Sequence, residues 1–133
     1  MALDPLNQEY LIGRASVLIL LDRGADARRD ADAALAYGAH SAWVQMWRGF
    51  LYRAHDRDTA AAAYRRAADL APADDASYLL ALAEFLVETK DCGALAVIEA
   101  YRAKCLAARG CETAPDEVLA RFSPAQREYC RAN

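Results

Sequence analysis

The sequence predicts an all-α protein built from repeated helical units, and three observations carry this prediction. Alanine, the strongest helix former, dominates the composition, and 56% of the 133 residues are hydrophobic, which is enough for a buried core. The β-branched residues that favour strands are sparse. Helix-core residues also recur when the chain is shifted against itself by 34 residues. A single helical repeat domain spanning 1–133 is therefore expected.

Turn and capping signals divide the chain into eight expected helices. Asp58, Asp74 and Asp91 can each accept the unpaired amide hydrogen bonds of a first helical turn. The segment Ser123-Pro124-Ala125-Gln126 has the pattern of a capping box with proline at the first helical position. The expected helices are 7–21, 25–37, 41–54, 58–70, 75–89, 93–109, 115–121 and 124–131. The first six pair into units of about 7–40, 41–74 and 75–106, and 111–133 forms a C-terminal cap.

The middle unit, 41–74, carries the clearest pattern. Ala60, Tyr64 and Ala67 stand at i, i+4 and i+7, one stripe of a helix, and Pro72 ends the unit because proline cannot continue a helix. A large residue, Trp43 or Val44, stands early in the first helix of the unit. This spacing resembles the tetratricopeptide repeat.

The flanking units are degenerate copies of this pattern. The 34-residue shift aligns Tyr10, Val44 and Tyr78, and it aligns Val17, Leu51 and Phe85. In the first unit, the second helix matches the repeat pattern better when the alignment is moved by one residue. The family pattern places a small residue where this sequence has Arg14 and Arg48, although a glycine stands beside each arginine.

The resemblance implies a right-handed stack of three antiparallel helical hairpins, an α-solenoid with the C-terminal helices as its cap. In such proteins the first helix of each hairpin lines a concave groove that binds a partner. The residues expected in this groove are Leu11, Ala15, Leu18, Gln45, Gly49, Tyr52, Leu79, Ala83 and Leu86. Tyr52 and Leu86 are the expected exposed anchors. Because the set contains neither lysine nor asparagine, a clamp for a terminal carboxylate is disfavoured.

No local motif indicates catalysis, a metal or a cofactor. The two histidines, His40 and His55, fall in expected turns, and neither belongs to a metal-binding or nucleophile–base pattern. The net charge of −3 gives no basic footprint for nucleic acid. The longest apolar run, Ala15 to Leu21, is far shorter than a membrane span. A catalytic site, a metal and a cofactor are therefore not expected.

All four cysteines lie in the last third of the chain, with two interpretations open. They either pack as free, small apolar residues or form two disulfides. Gly110 suits a left-handed position after a helix, which returns Cys111 towards Cys105. Cys92 and Cys130 are then left as the second pair. Pairing favours a periplasmic or secreted location, and free thiols favour the cytoplasm.

The sequence therefore predicts a non-catalytic domain that binds another protein or peptide. The mostly apolar groove suits an amphipathic helix or an extended hydrophobic segment. The expected role is that of a scaffold or a chaperone in an assembly or secretion process. A self-assembling structural repeat protein is the alternative, so a homo-oligomer stays open, and an enzyme is a distant third. Binding to nucleic acid and insertion into a membrane are not expected.

Overall fold

The computed structural model describes residues 5–38, 41–107 and 110–132, and the described chain is helical without a strand. The all-α prediction is confirmed. The eight helices of these ranges are α1 (Pro5–Leu20), α2 (Gly24–Gly38), α3 (Ala42–Tyr52), α4 (Arg57–Leu70), α5 (Ser77–Glu88), α6 (Gly93–Ala107), α7 (Pro115–Ala120) and α8 (Pro124–Ala132). The expected boundaries agree within about two residues. His40, expected in a turn, lies outside the described residues.

The chain divides into two compact units, Met1–Leu70 and Ala71–Asn133. In the first unit α1 packs on α2, α2 on α3 and α3 on α4. One apolar cluster joins α1, α2 and α3, and the buried residues that α2 contributes to it are all alanines. The buried members of this cluster are Ile12, Ala15, Leu18, Ala27, Ala31, Ala34, Val44 and Leu51. Small residues on α2 therefore let the larger side chains of its neighbours fill the interior.

In the second unit α5 packs on α6, and α7 packs on both. Val118 of α7 and the following Phe122 are fully buried, and Arg121 pairs with Glu84 of α5 at 2.7 Å. The Tyr101 hydroxyl of α6 donates to the Thr113 carbonyl oxygen at 2.7 Å, which fixes the connection between α6 and α7. The segment that follows α6 therefore packs back on the α5–α6 pair through α7.

Helix starts follow the capping chemistry, with two corrections of one or two residues. Asp91 and Ser123 accept amide hydrogen bonds at the starts of α6 and α8, as predicted. At α4 the acceptor is Asp56 rather than Asp58, and at α5 it is Asp75 rather than Asp74. A carboxylate must stand just before the first turn to accept hydrogen bonds from its amides. Because α4 begins at Arg57, Asp56 precedes its first turn and Asp58 lies inside it. Because α5 begins at Ser77, Asp75 is closer to its first turn than Asp74.

The period of the sequence is visible in the helix ends. Asp22 after α1 and Lys90 after α5 both have φ of 58°, and the next residue donates back to the helix in each case. Two periods of 34 residues separate the two positions. The same left-handed termination thus recurs at equivalent points of two hairpins, without glycine at either one.

Candidate protein-binding surface

The close approach of α3 to α4 fixes which way the residues of α3 point. A Cβ atom placed on Gly49 would lie 2.9 Å from the Cγ and Cδ2 atoms of Tyr64 on α4. Gly49 is therefore the point where the two helices of the hairpin touch, and it does not line an open groove. The 34-residue period relates Gly49 to Ala15 and Ala83, and both alanines are fully buried. This position belongs to the hairpin interior in each unit.

The two arginines that depart from the family pattern stand one residue before this interior position. Arg14 donates from Nε and Nη2 to the two oxygens of Asp30, both at 2.7 Å. Arg48 pairs with Asp32 at 2.8 Å. Both arginines therefore reach from a first helix to α2. The small residue between the helices is the next one along the chain, Ala15 or Gly49, so these two positions predicted for the groove lie in the hairpin interior.

Most of the other residues predicted for the groove are also buried or half-buried. Leu18, Gln45 and Leu86 are buried, and Leu11 and Leu79 are half-buried. Leu86 has only 1% of its surface exposed, so its side chain is not available as an anchor. On α5 nearly every side is apolar, and Leu82, Ala83, Phe85, Leu86 and Val87 are all buried. The polarity of its residues therefore does not indicate which side of α5 faces the interior.

Tyr52 is half-buried and contacts α2. Its hydroxyl donates to Asp32 at 2.6 Å, and the Arg48 guanidinium lies 5.0 Å from its ring centroid. Burial, followed by the hydrogen bond to Asp32, raises the pKa of Tyr52 above its ordinary value. The ring is thus part of a polar cluster between α2 and α3, whereas the sequence predicted an exposed groove anchor.

A different face of α3 carries large aromatic side chains that pack against the core of the first unit and stay partly accessible. We call this set the α3 aromatic face; its members are Trp43, Met46, Trp47 and Phe50, at i, i+3, i+4 and i+7. All four are half-buried. Trp47 and Phe50 pack edge to face with centroids 5.5 Å apart, and the Arg53 guanidinium lies 4.2 Å above the Phe50 ring. These contacts hold the rings in place while leaving part of each accessible.

Two disulfides link all four cysteines within the second unit. The long bridge joins Cys92 at the start of α6 to Cys130 of α8, with 5.3 Å between Cα atoms. The short bridge joins Cys105 near the end of α6 to Cys111, with 5.2 Å between Cα atoms. The predicted pairing is confirmed. Gly110 has φ of 125°, and this left-handed turn brings Cys111 back to the helix. Bridges of this kind persist in oxidising compartments.

A cleft of about 450 Å³ lies beside the short bridge. Its lining includes Leu106, Pro115 and the guanidinium of Arg102. Arg102 is bound by Asp116 at 2.9 Å, and this hydrogen bond raises its pKa. The cleft therefore presents apolar side chains and an ion pair.

Metal-binding and membrane-spanning features are absent from the part of the chain that the structure describes. No group of three or more histidine, cysteine, aspartate or glutamate side chains there is arranged to hold a metal ion. Among the described helices, none combines the length and the apolar character needed to cross a bilayer. His55 lies exposed in the turn after α3.

Comparison with known proteins gives no family assignment. No protein-family model matches the chain, and no curated protein matches it.

Proposed function

We propose that this chain is a tetratricopeptide-like repeat domain that binds another protein without catalysing a reaction. Its ligand is an apolar segment, either an amphipathic helix or an extended strand. The observation that carries the proposal is the α3 aromatic face, where four large apolar side chains on one helix face pack partly against the core and keep a minor part of their surface accessible. Accessible aromatic clusters held in place by their neighbours are typical of the few residues that dominate protein–protein binding energy.

The register of α3 supports a specific docking surface. Because Gly49 faces α4 and Tyr52 faces α2, the side of α3 left for a ligand carries Met46 and Phe50. The same one-residue shift selects Ser16 and Ile19 on α1, of which Ser16 is half-buried and Ile19 exposed. The proposed docking surface therefore lies one residue further along α1 and α3 than the repeat pattern indicated, and it excludes Ile12, which the same shift selects but which is buried. The stack of three hairpins remains a prediction.

The two disulfides support a location in the periplasm or outside the cell. An oxidising compartment keeps such bridges formed, whereas cytosolic thiol systems reduce them. A helical domain there that binds apolar segments suits a scaffold or a chaperone in protein assembly or secretion.

The tryptophans allow a direct binding test. The chain has two tryptophans, Trp43 and Trp47, and both belong to the α3 aromatic face. We expect an amphipathic helical peptide of about 18 residues, with leucine at i, i+3, i+4 and i+7, to shift their emission to the blue and protect them from acrylamide. A peptide of the same composition in scrambled order lacks the apolar face and serves as the ligand control. A peptide with alternating leucines tests extended binding.

Matched variants locate the binding. Phe50→Glu places a charge in the aromatic face and is expected to weaken peptide binding by about 2 kcal/mol, roughly thirtyfold. Ala62→Glu places the same charge at an exposed position of α4 and is expected to bind like wild type. The melting temperatures of both variants are measured first. Unchanged tryptophan emission with every peptide contradicts the proposal, as does an equal loss of affinity in the two variants.

A further inference from the structure

The outer side of α1 carries a second apolar surface, which the described residues of its own unit leave uncovered. Tyr10, Val17 and Leu20 have 62%, 53% and 84% of their surfaces exposed. Gly13 lies between them, and a Cβ atom added there would meet no other atom within 4 Å. These four residues, which we call the α1 face, follow one another at intervals of three, four and three. That is the a–d–a–d spacing of a helix seam in a coiled coil.

The repeat shows what kind of contact this face is built for. One period later, Tyr10 and Val17 correspond to Val44 and Leu51 on α3, which are 0% and 4% exposed. Inside the first unit Val44 and Leu51 share one buried cluster with the alanines of α2. The corresponding face of α3 is thus covered by a neighbouring helix. The exposed α1 face has the chemistry of a helix–helix contact rather than of a solvated surface.

The order of side chains along the α1 face is self-complementary. When two copies of α1 run antiparallel about a two-fold axis near residue 15, residue n lies opposite residue 30 − n. Tyr10 then faces Leu20 of the second copy, and Val17 faces the open position at Gly13. Each bulky residue meets a large apolar side chain or a vacant site, and the symmetry repeats each contact. An isologous dimer requires a surface with this property.

The charges agree with a contact between identical helices. Between Tyr10 and Leu20 the one charged residue is Arg14. Both oxygens of Asp30 accept its hydrogen bonds at 2.7 Å, and its guanidinium lies 5.4 Å from the centroid of the Tyr10 ring. The positive charge is therefore compensated within each copy, and two α1 faces meet without unpaired like charges.

We infer that the α1 face is a dimerisation surface, and that its partner is the antiparallel α1 of a second copy of this chain. Even complete burial of the exposed side chains in both copies would cover less than about 1,000 Å² in total, which lies below the usual size of specific interfaces. The dimer is accordingly a weak one that dissociates on dilution. The α1 face shares no residue with the α3 aromatic face, and the two tests have different readouts, so either proposal can fail while the other holds.

Sedimentation equilibrium from about 1 to 300 µM tests the dimer, a range chosen for an interface of this size. The wild-type chain is expected to change from monomer to dimer. Val17→Glu places a carboxylate in the seam and is expected to remain monomeric, whereas the control Ala100→Glu, exposed on α6, dimerises normally. Val17 is more than half exposed, so its replacement leaves the helical melting curve unchanged.

A mixing experiment tests the register. Gly13→Lys alone removes the vacant site and is expected to be monomeric. In an equimolar mixture with Val17→Glu, the introduced lysine of one chain meets the introduced glutamate of the other, while the second Gly13–Val17 contact stays native. Only the mixture should recover dimer. A wild-type monomer at every concentration overturns the proposal, as do a Val17→Glu dimer, growth beyond a dimer, or a mixture that stays monomeric.

Discussion

Gly49→Ala tests the register of α3, on which the position of the binding surface depends. The added methyl group would lie 2.9 Å from Cγ and Cδ2 of Tyr64, which is closer than Cβ atoms approach other atoms in real proteins. These atoms are at the base of a buried ring, so the whole side chain must shift. Overpacking of this kind costs about 1–3 kcal/mol. Alanine also improves helix propensity by about 1 kcal/mol. The free energy of unfolding should thus fall by up to about 2 kcal/mol.

Gly13→Ala provides the matched control, because a Cβ there meets nothing within 4 Å. This variant keeps the propensity gain without the clash and should be stabilised by about 1 kcal/mol. Urea unfolding followed by circular dichroism at the helical minimum measures both variants, at a concentration below that of self-association. If Gly49→Ala stabilises the protein as much as Gly13→Ala does, Gly49 does not lie between the helices and the corrected register is wrong.

A second substitution separates the clash from other effects of the new methyl group. Ala83 and Ile98 occupy the positions that correspond to Gly49 and Tyr64 one period later, and both are buried. The second unit thus holds a larger residue on its first helix and a smaller one on its second. Gly49→Ala combined with Tyr64→Ile should therefore lose less stability than the sum of the two single variants. Additive losses would show that the two positions do not share one contact.

The remaining predictions concern the second unit and the response to pH. Replacing both cysteines of the long bridge by alanine should lower the free energy of unfolding by about 4 kcal/mol, and replacing those of the short bridge should lower it by about 2 kcal/mol. The reason is that the bridges close 38 and 6 residues of chain. Urea unfolding without reductant measures both losses, and a larger loss for the short bridge would contradict the loop-entropy argument. Tyr101→Phe removes the buried donor to the Thr113 carbonyl and should cost about 1 kcal/mol by the same measurement, whereas an unchanged midpoint means that water replaces the bond. Because burial raises the pKa of Tyr52, its stabilising effect is complete below the ordinary tyrosine pKa near 10 and is lost as the pH rises through the higher folded value. In Tyr52→Phe the melting temperature should therefore fall less steeply with rising pH above about 10 than in the wild type. An unchanged slope would show that other groups cause the loss of stability at alkaline pH.

The helices were predictable because several local signals agree at each of them. The composition favours helix throughout, and prolines, aspartate caps and a capping box divide the helical sequence into segments. The cysteine pairing was also readable, since a left-handed residue at Gly110 returns the chain to Cys105 within one turn. The helix boundaries and the short bridge are thus decided by residues close together along the chain, whereas Cys92 and Cys130 lie 38 residues apart. The direction in which a helix face points is decided instead by contacts between helices.

Some residues predicted for the groove, such as Ala15 and Gly49, lie in the hairpin interior because polarity and size gave different signals for the phase of the first helices. Arginine at positions 14 and 48 occupies the site where the family has a small residue, and both arginines are anchored on α2. The small residue at the interior position stands one place after each arginine. Ala15, Gly49 and Ala83 are spaced by 34 residues and all are buried, so they show which side of each first helix faces its partner. A helix pair can hold a long arginine at its edge, where the charged group reaches solvent or a carboxylate, but not between its axes. In this chain the recurrence of small residues therefore identifies the inner face of each hairpin, and on α3 it leaves the partly buried aromatic side chains on the side proposed for binding.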